Sequence, residues 1–198
     1  MNFLAHAYLS FQQPPVLVGN MISDFVKGRK KFDFPDSIRK GIELHRAIDQ
    51  FTDDHPLTKE AKAFFAPVYR LYSGAFVDIV YDHFLARDPL HFSGDQLKLF
   101  SADVYHTLDD HTGHLPAPFA RMLPYMKAQD WLYNYRHREG LENSFGGLAR
   151  RSLYIKETHS AILIFQENEK ELELLYREFI KEVVPFAENR LREMGGGG

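Results

Sequence analysis

Three apolar segments in this chain carry polar side chains four residues apart, and that spacing is the strongest constraint on its fold. Asn20 and Asp24 lie in the stretch from Val16 to Gly28, His45 and Asp49 in the stretch from Ile38 to Asp53, and Asp78 and Asp82 in the stretch from Phe76 to Leu85. Four residues advance an α-helix by about 400°, so each pair projects from one face, about 40° apart. The face of His45 and Asp49 also carries Ile38, Ile42 and Ile48, while Asn20 and Asp24 share theirs with Leu17 and Met21. His83 is turned by about 100° from Asp82 toward Phe76, Ile79 and Val80, so the two cannot share one narrow face. Carboxylates turned toward a core need a partner, because an unpaired buried charge is costly. Several on successive helices, with His6 close to the N-terminus, require either a shared cation or a dense hydrogen-bond network. The expectation is a metal-centred active site.

The rest of the chain is also helical in pattern. Helices are expected near 2–10, 15–28, 36–53, 57–72, 74–87, 94–111, 117–133 and 158–192, with a shorter element around 141–152, and no alternating strand stands out. Breaks fall at Pro14-Pro15, from Gly28 to Pro35, at His55-Pro56, Ser73-Gly74 and Asp88-Pro89, and from Gly113 to Pro118. The linkers are short, and neither a repeat nor a composition shift divides the chain. The predicted architecture is all-α, a single multi-helix bundle over residues 1–194. Pro185 is expected to end or kink the last helix, and residues 195–198 to form a disordered glycine tail.

Composition excludes several classes of function. An apolar fraction of 44% in 198 residues supplies one sizeable core. No apolar run approaches the roughly 20 residues needed to span a bilayer, and the start lacks the basic and apolar regions of a signal peptide, so the expected location is cytoplasmic. With no cysteine, disulfides, thiolate zinc sites and cysteine nucleophiles are ruled out, leaving imidazole and carboxylate as the main metal ligands. The formal net charge of −3 argues against broad nucleic-acid affinity.

Four blocks carry a family resemblance: Met1-Asn-Phe-Leu-Ala-His6, Gly19-Asn-Met-Ile-Ser-Asp-Phe-Val-Lys-Gly28, His45-Arg-Ala-Ile-Asp49 with Thr52-Asp53, and Asp82-His-Phe-Leu85. In this order the chain resembles the acyl carrier protein phosphodiesterases, which are distantly related to the HD phosphohydrolases. The blocks span roughly the first half; beyond about residue 90 the likeness rests on length and on Asp130-Trp131-Leu132. The resemblance implies an HD-like bundle and a Mn²⁺-dependent enzyme, with Mg²⁺ or another divalent cation as the alternative. The implied reaction removes 4′-phosphopantetheine from the serine of holo-acyl carrier protein. The chain departs from the HD pattern, in which the adjacent pair is His then Asp: here it reads Asp82-His83, and the other pair is split as His45 and Asp49.

A phosphodiester repels hydroxide, so its hydrolysis calls for a cation that neutralises phosphate oxygens and activates water. Asp24, His45, Asp49 and Asp82 are the expected ligands, with His6 a further one and with Asn20 and Asp78 behind them as orienting groups. Lys27 and Arg46 are expected to hold phosphate oxygens, and His83 to protonate the departing seryl oxygen. The run Lys27-Gly28-Arg29-Lys30-Lys31 is the expected docking surface for the acidic carrier protein, its ordinary reading being a solvated helix end. The stretch from Trp131 to His137 is read chiefly as core, with a share in a pantetheine channel. The grouping of His106, Asp109, Asp110, His111 and His114 is read as a solvated helix end. Two alternatives stay open: a nucleotide or nucleic-acid phosphohydrolase with the same metal chemistry, and a non-catalytic carrier-protein-binding module.

Overall fold

Helix α5 (Ser73–Arg87) is buried on nearly every side, and other helices pack around it: eleven of its fifteen residues are buried. A computed structural model describes residues 1–195 and contains eleven α-helices and, among the described residues, no strand. The short α1 (Phe3–Tyr8), α4 (Pro56–Tyr69), α9 (Arg138–Arg151) and α11 (Glu169–Gly195) all pack on α5. Phe65 of α4 and Phe145 of α9 close on Phe76 with ring centroids 5.7 and 5.1 Å away, while Tyr81 stacks on Phe179 of α11 at 5.0 Å. No helix among the described residues is long and apolar enough to cross a membrane.

The most extensive helix contact in the fold joins α2 (Pro14–Ile22) to α3 (Asp36–Asp54). It is made by two glycines. A Cβ on Gly19 would stand 1.9 Å from the Ile38 carbonyl oxygen, and one on Gly41 would stand 2.1 Å from that of Val16. Only glycine lets the two backbones approach this closely. Asn20 follows Gly19, and His45 lies one turn beyond Gly41, so this crossing brings the polar residues of α2 and α3 together.

Several expected boundaries move. The predicted helix 15–28 ends at Ile22, and two 3₁₀ turns follow, Ser23–Phe25 and Gly28–Asp33, joined through extended Val26 and through Gly28 at φ 55°. The predicted helix 117–133 divides into α7 (Ala117–Ala128) and α8 (Trp131–Asn134), because Asp130 adopts a left-handed conformation. The long helix expected over 158–192 divides at Asn168 into α10 (His159–Glu167) and α11, which continues through Pro185. Between α5 and α7, α6 (Gln96–Asp110) agrees with its expected span to within two residues. Gly195 closes α11, and the remainder of the expected glycine tail lies outside the described residues.

Candidate metal centre

Two parallel imidazoles form the centre of the site. His6 of α1 and His45 of α3 stack with ring centroids 3.8 Å apart, and both are buried. Asn20 fixes both rings. Its side-chain Oδ1 lies 2.8 Å from His6 Nδ1, and its backbone carbonyl oxygen lies 2.8 Å from His45 Nδ1. An acceptor at each Nδ1 keeps a proton there and makes Nε2 the nitrogen that would turn to a metal, which is how protein ligands to metals are commonly oriented. Asn20 is held in turn by its Nδ2, which donates to the His6 carbonyl oxygen at 2.8 Å and to Ser10 Oγ at 3.1 Å.

Both Nε2 atoms face carboxylates. Asp49 bridges them, with Oδ1 3.1 Å from His6 and Oδ2 3.1 Å from His45. Asp24, on the 3₁₀ turn after α2, places Oδ1 3.2 Å from His45 Nε2. One ligand atom each from His6, His45 and Asp49 falls within 4.8 Å of the others, the only such grouping among the described residues. Asp49 is 40% exposed and Asp24 70%, so the imidazoles form the floor and the carboxylates the open side.

The electrostatics follow from this arrangement. Burial disfavours a charged His45 ring, but Asp24 and Asp49 outweigh it and bring the pKa up to about 9. Burial and the neighbouring His45 charge push His6 down to about 4. Burial works against the Asp49 anion, yet the hydrogen bond from the charged His45 ring, with His6 against its other oxygen, holds its carboxyl well below the usual range. The hydrogen bond from His45 likewise lowers Asp24. Without a cation, one proton on His45 is thus balanced against two carboxylates. Two oriented imidazole nitrogens with carboxylate oxygens form an N,O donor set suited to Mn²⁺, Zn²⁺ or Fe²⁺.

Comparison with known proteins gives this geometry a family. The model of a family described as acyl carrier protein phosphodiesterase matches residues 1–183. The chain belongs to the acyl carrier protein phosphodiesterase family. It is 31% identical over 192 residues to the acyl carrier protein phosphodiesterase of Yersinia pestis, covering 96% of this chain and 99% of the relative. It is 28% identical over 196 residues to that of Photorhabdus laumondii, covering 96% of each. No solved structure matches the chain.

Other residues singled out for this family member take different positions. Asp82 is not part of the cluster. It is fully buried, and its carboxylate accepts the backbone N–H groups of Asn2, Leu4 and Ala5 at 3.2, 2.7 and 3.3 Å, serving as the anchor for the first turn of α1. Burial pushes its carboxyl up to about 7, against the N–H groups and the nearby Met1 amine, which favour the anion. Asp78 also differs from expectation: its Oδ1 accepts from the Met1 amine at 2.8 Å and orients no imidazole. That amine lies 4.0 Å from Asp49 Oδ1, so Asp78 adjoins the site through it.

His83 points the other way, as its 100° offset from Asp82 requires. Its Nδ1 is 2.6 Å from the Tyr135 carbonyl oxygen and its Nε2 3.1 Å from Arg87, and burial pushes its pKa down to about 4. It therefore holds α5 to the segment after α8 and is not placed to protonate a leaving group at the cluster. Arg46 Nη2 donates to the Val26 carbonyl oxygen at 2.7 Å, tying the turn that carries Asp24 to α3. Lys27, Arg29 and Lys30 are exposed, whereas Lys31 pairs with Glu43 at 2.7 Å. His106, Asp109, Asp110 and His114 are exposed at the end of α6 and just beyond it, with His111 half-buried, and Lys127 pairs with Asp109. Ser10 was not anticipated; its place one turn after His6 was the only signal.

Proposed function

We propose that this chain hydrolyses the phosphodiester joining 4′-phosphopantetheine to the serine of holo-acyl carrier protein, giving apo-acyl carrier protein and free 4′-phosphopantetheine. The observation that carries the reading is the pair of stacked imidazoles, each locked at Nδ1 by Asn20 and facing the shared carboxylate of Asp49. The donor set fits a divalent cation. His6, His45 and Asp49 would hold it with Asp24, and we take it to be Mn²⁺, with Mg²⁺ or another divalent cation as the alternative. Such a cation neutralises non-bridging phosphate oxygens and lowers the pKa of water.

The chain's own residues supply the rest. Asn20 keeps both imidazoles in one tautomer, so no reorientation is needed as substrate arrives. Asp24 and Asp49 carry the charge that draws the cation. Arg46 uses one N–H group on Val26 and retains others for a phosphate oxygen, and Lys27 stands just beyond the same turn. Lys27, Arg29 and Lys30 offer an exposed positive surface beside the site, which matches the acidic surface expected of a carrier protein. The experiment is mass spectrometry of holo-acyl carrier protein incubated with the purified protein and Mn²⁺, beside a panel of nucleotides. Loss of the 4′-phosphopantetheine mass from the carrier supports the reading; an intact carrier with turnover of a nucleotide overturns it.

A further inference from the structure

A groove of about 890 Å³ opens between the start of α1, the α7–α8 junction and α9. It begins beside the cluster. Phe3, which lines it, lies three residues before His6 on α1, so the two are about 60° apart on adjoining turns. Asn2, at the same end, adjoins the Met1 amine that stands 4.0 Å from Asp49. From Gly140 to Arg151 one wall is α9, and at 1.5 Å per residue that wall runs roughly 16 Å. The groove is thus elongated, with one end next to the site proposed for the phosphate.

Its chemistry is mixed in a particular way. Phe3 and Trp131 provide an aromatic surface, their rings tilted at 46° with centroids 6.4 Å apart. The Trp131 indole N–H donates to Gln129 Oε1 at 2.9 Å, so the exposed face of the ring is apolar. Carboxamides stand along the same walls, together with the exposed charged side chains of Glu139, Arg150 and Arg151. The Asn134 Nδ2 gives one of its two N–H groups to the Gln129 carbonyl oxygen at 2.6 Å, and among the described residues the exposed Asn143 amide makes no hydrogen bond. An occupant matched to these walls is slender, carries apolar segments between amide groups, and ends in a phosphate at the cluster. Pantetheine, with its gem-dimethyl carbon and two amides, has that sequence of groups.

We infer that this groove receives the pantetheine arm of the substrate, with Trp131 and Phe3 against its apolar part and the carboxamide side chains against its amides. The inference rests on the reaction proposed above and names where the substrate lies. Gly147 gives access to a test. A Cβ there would meet nothing nearer than the tip of Arg150 at 3.7 Å, so a large side chain enters the groove and not the core. Trp131 is the only tryptophan, so its fluorescence reports on the groove directly.

The experiment titrates free pantetheine into the full chain, follows Trp131 fluorescence, and repeats the titration on Gly147→Phe, with circular dichroism confirming that the variant is folded. We expect a saturable response to pantetheine and none to inorganic phosphate alone. In Gly147→Phe we expect at least tenfold weaker pantetheine binding and a matching rise in KM for holo-acyl carrier protein. Absence of a response in the natural chain, or an unchanged response in the folded variant, overturns the groove assignment. If the chain binds pantetheine through Trp131 but leaves holo-acyl carrier protein intact, the reaction falls and the groove stands.

Discussion

Asp49 is the residue on which the site depends most, because its two oxygens meet both imidazoles. Outer groups that only orient a ligand cost about 10–100-fold in metal affinity when removed, so loss of the bridging ligand should cost at least that. Asp49→Ala is expected to weaken Mn²⁺ binding by about a hundredfold or more and to abolish hydrolysis. Its carboxylate is 40% exposed, so the chain should remain folded, and calorimetric Mn²⁺ titration checks the first effect. Unchanged affinity would remove Asp49 from the ligand set. His83 yields a prediction of another kind. It is 1% exposed, and burial lowers its folded pKa from 6.5 to about 4. The native state thus favours the neutral ring, so this contribution is complete above pH 6.5 and is lost as pH falls toward 4. A shift of that size corresponds to roughly 3 kcal/mol. Urea unfolding at several pH values should show stability falling over this window, with a shallower fall in His83→Gln. An equal fall in both proteins would show that His83 does not carry the effect.

At the scale of elements, the crossing of α2 and α3 controls the position of the site. A methyl at Gly41 would meet backbone atoms alone, at 2.1 Å from Val16 O and 2.9 Å from Asn20 N. Backbone cannot swing aside as a side-chain tip does, so Gly41→Ala should cost more than the usual 1–3 kcal/mol of overpacking. At about 2–4 °C per kcal/mol for a chain of this size, the melting temperature should drop by at least about 5 °C, and Mn²⁺ affinity should fall with it. A melting temperature equal to that of the natural chain would contradict the close approach. Neither glycine announced this role, because a crossing partner far along the chain leaves no local pattern. The pair His45 and Asp49 was legible, since α3 has one polar and one apolar side and the spacing fixes direction. On α5 the same arithmetic misplaced Asp82, because a helix buried all round gives periodicity nothing to point toward. Its carboxylate serves the N–H groups of α1, and the adjacent pair Asp82-His83 lies outside the cluster. Helix content was legible throughout, but the breaks at Asp130 and Asn168 went unread, although Asp and Asn favour helix caps and enter the left-handed region more readily than most residues.

For the molecule as a whole, the account joins a carboxylate and imidazole site to a positive surface and an elongated groove. If Lys27, Arg29 and Lys30 draw in an acidic carrier, replacing all three with Gln should lower kcat/KM for holo-acyl carrier protein severalfold at low salt and flatten its dependence on ionic strength. An equal salt dependence in both proteins would assign those charges to solubility alone. The most direct test of the central claim concerns which bond breaks. A metal site rich in carboxylates is matched to charge on phosphate oxygens, and the chain has neither a cysteine nor a Gly-x-Ser-x-Gly nucleophile elbow for acyl transfer. Reaction in ¹⁸O-labelled water, read by mass spectrometry of both products, should place the label in the phosphate of released 4′-phosphopantetheine and leave the carrier serine unlabelled. Label in the serine hydroxyl, or release of an acyl group with the arm retained, would contradict hydrolysis at phosphorus.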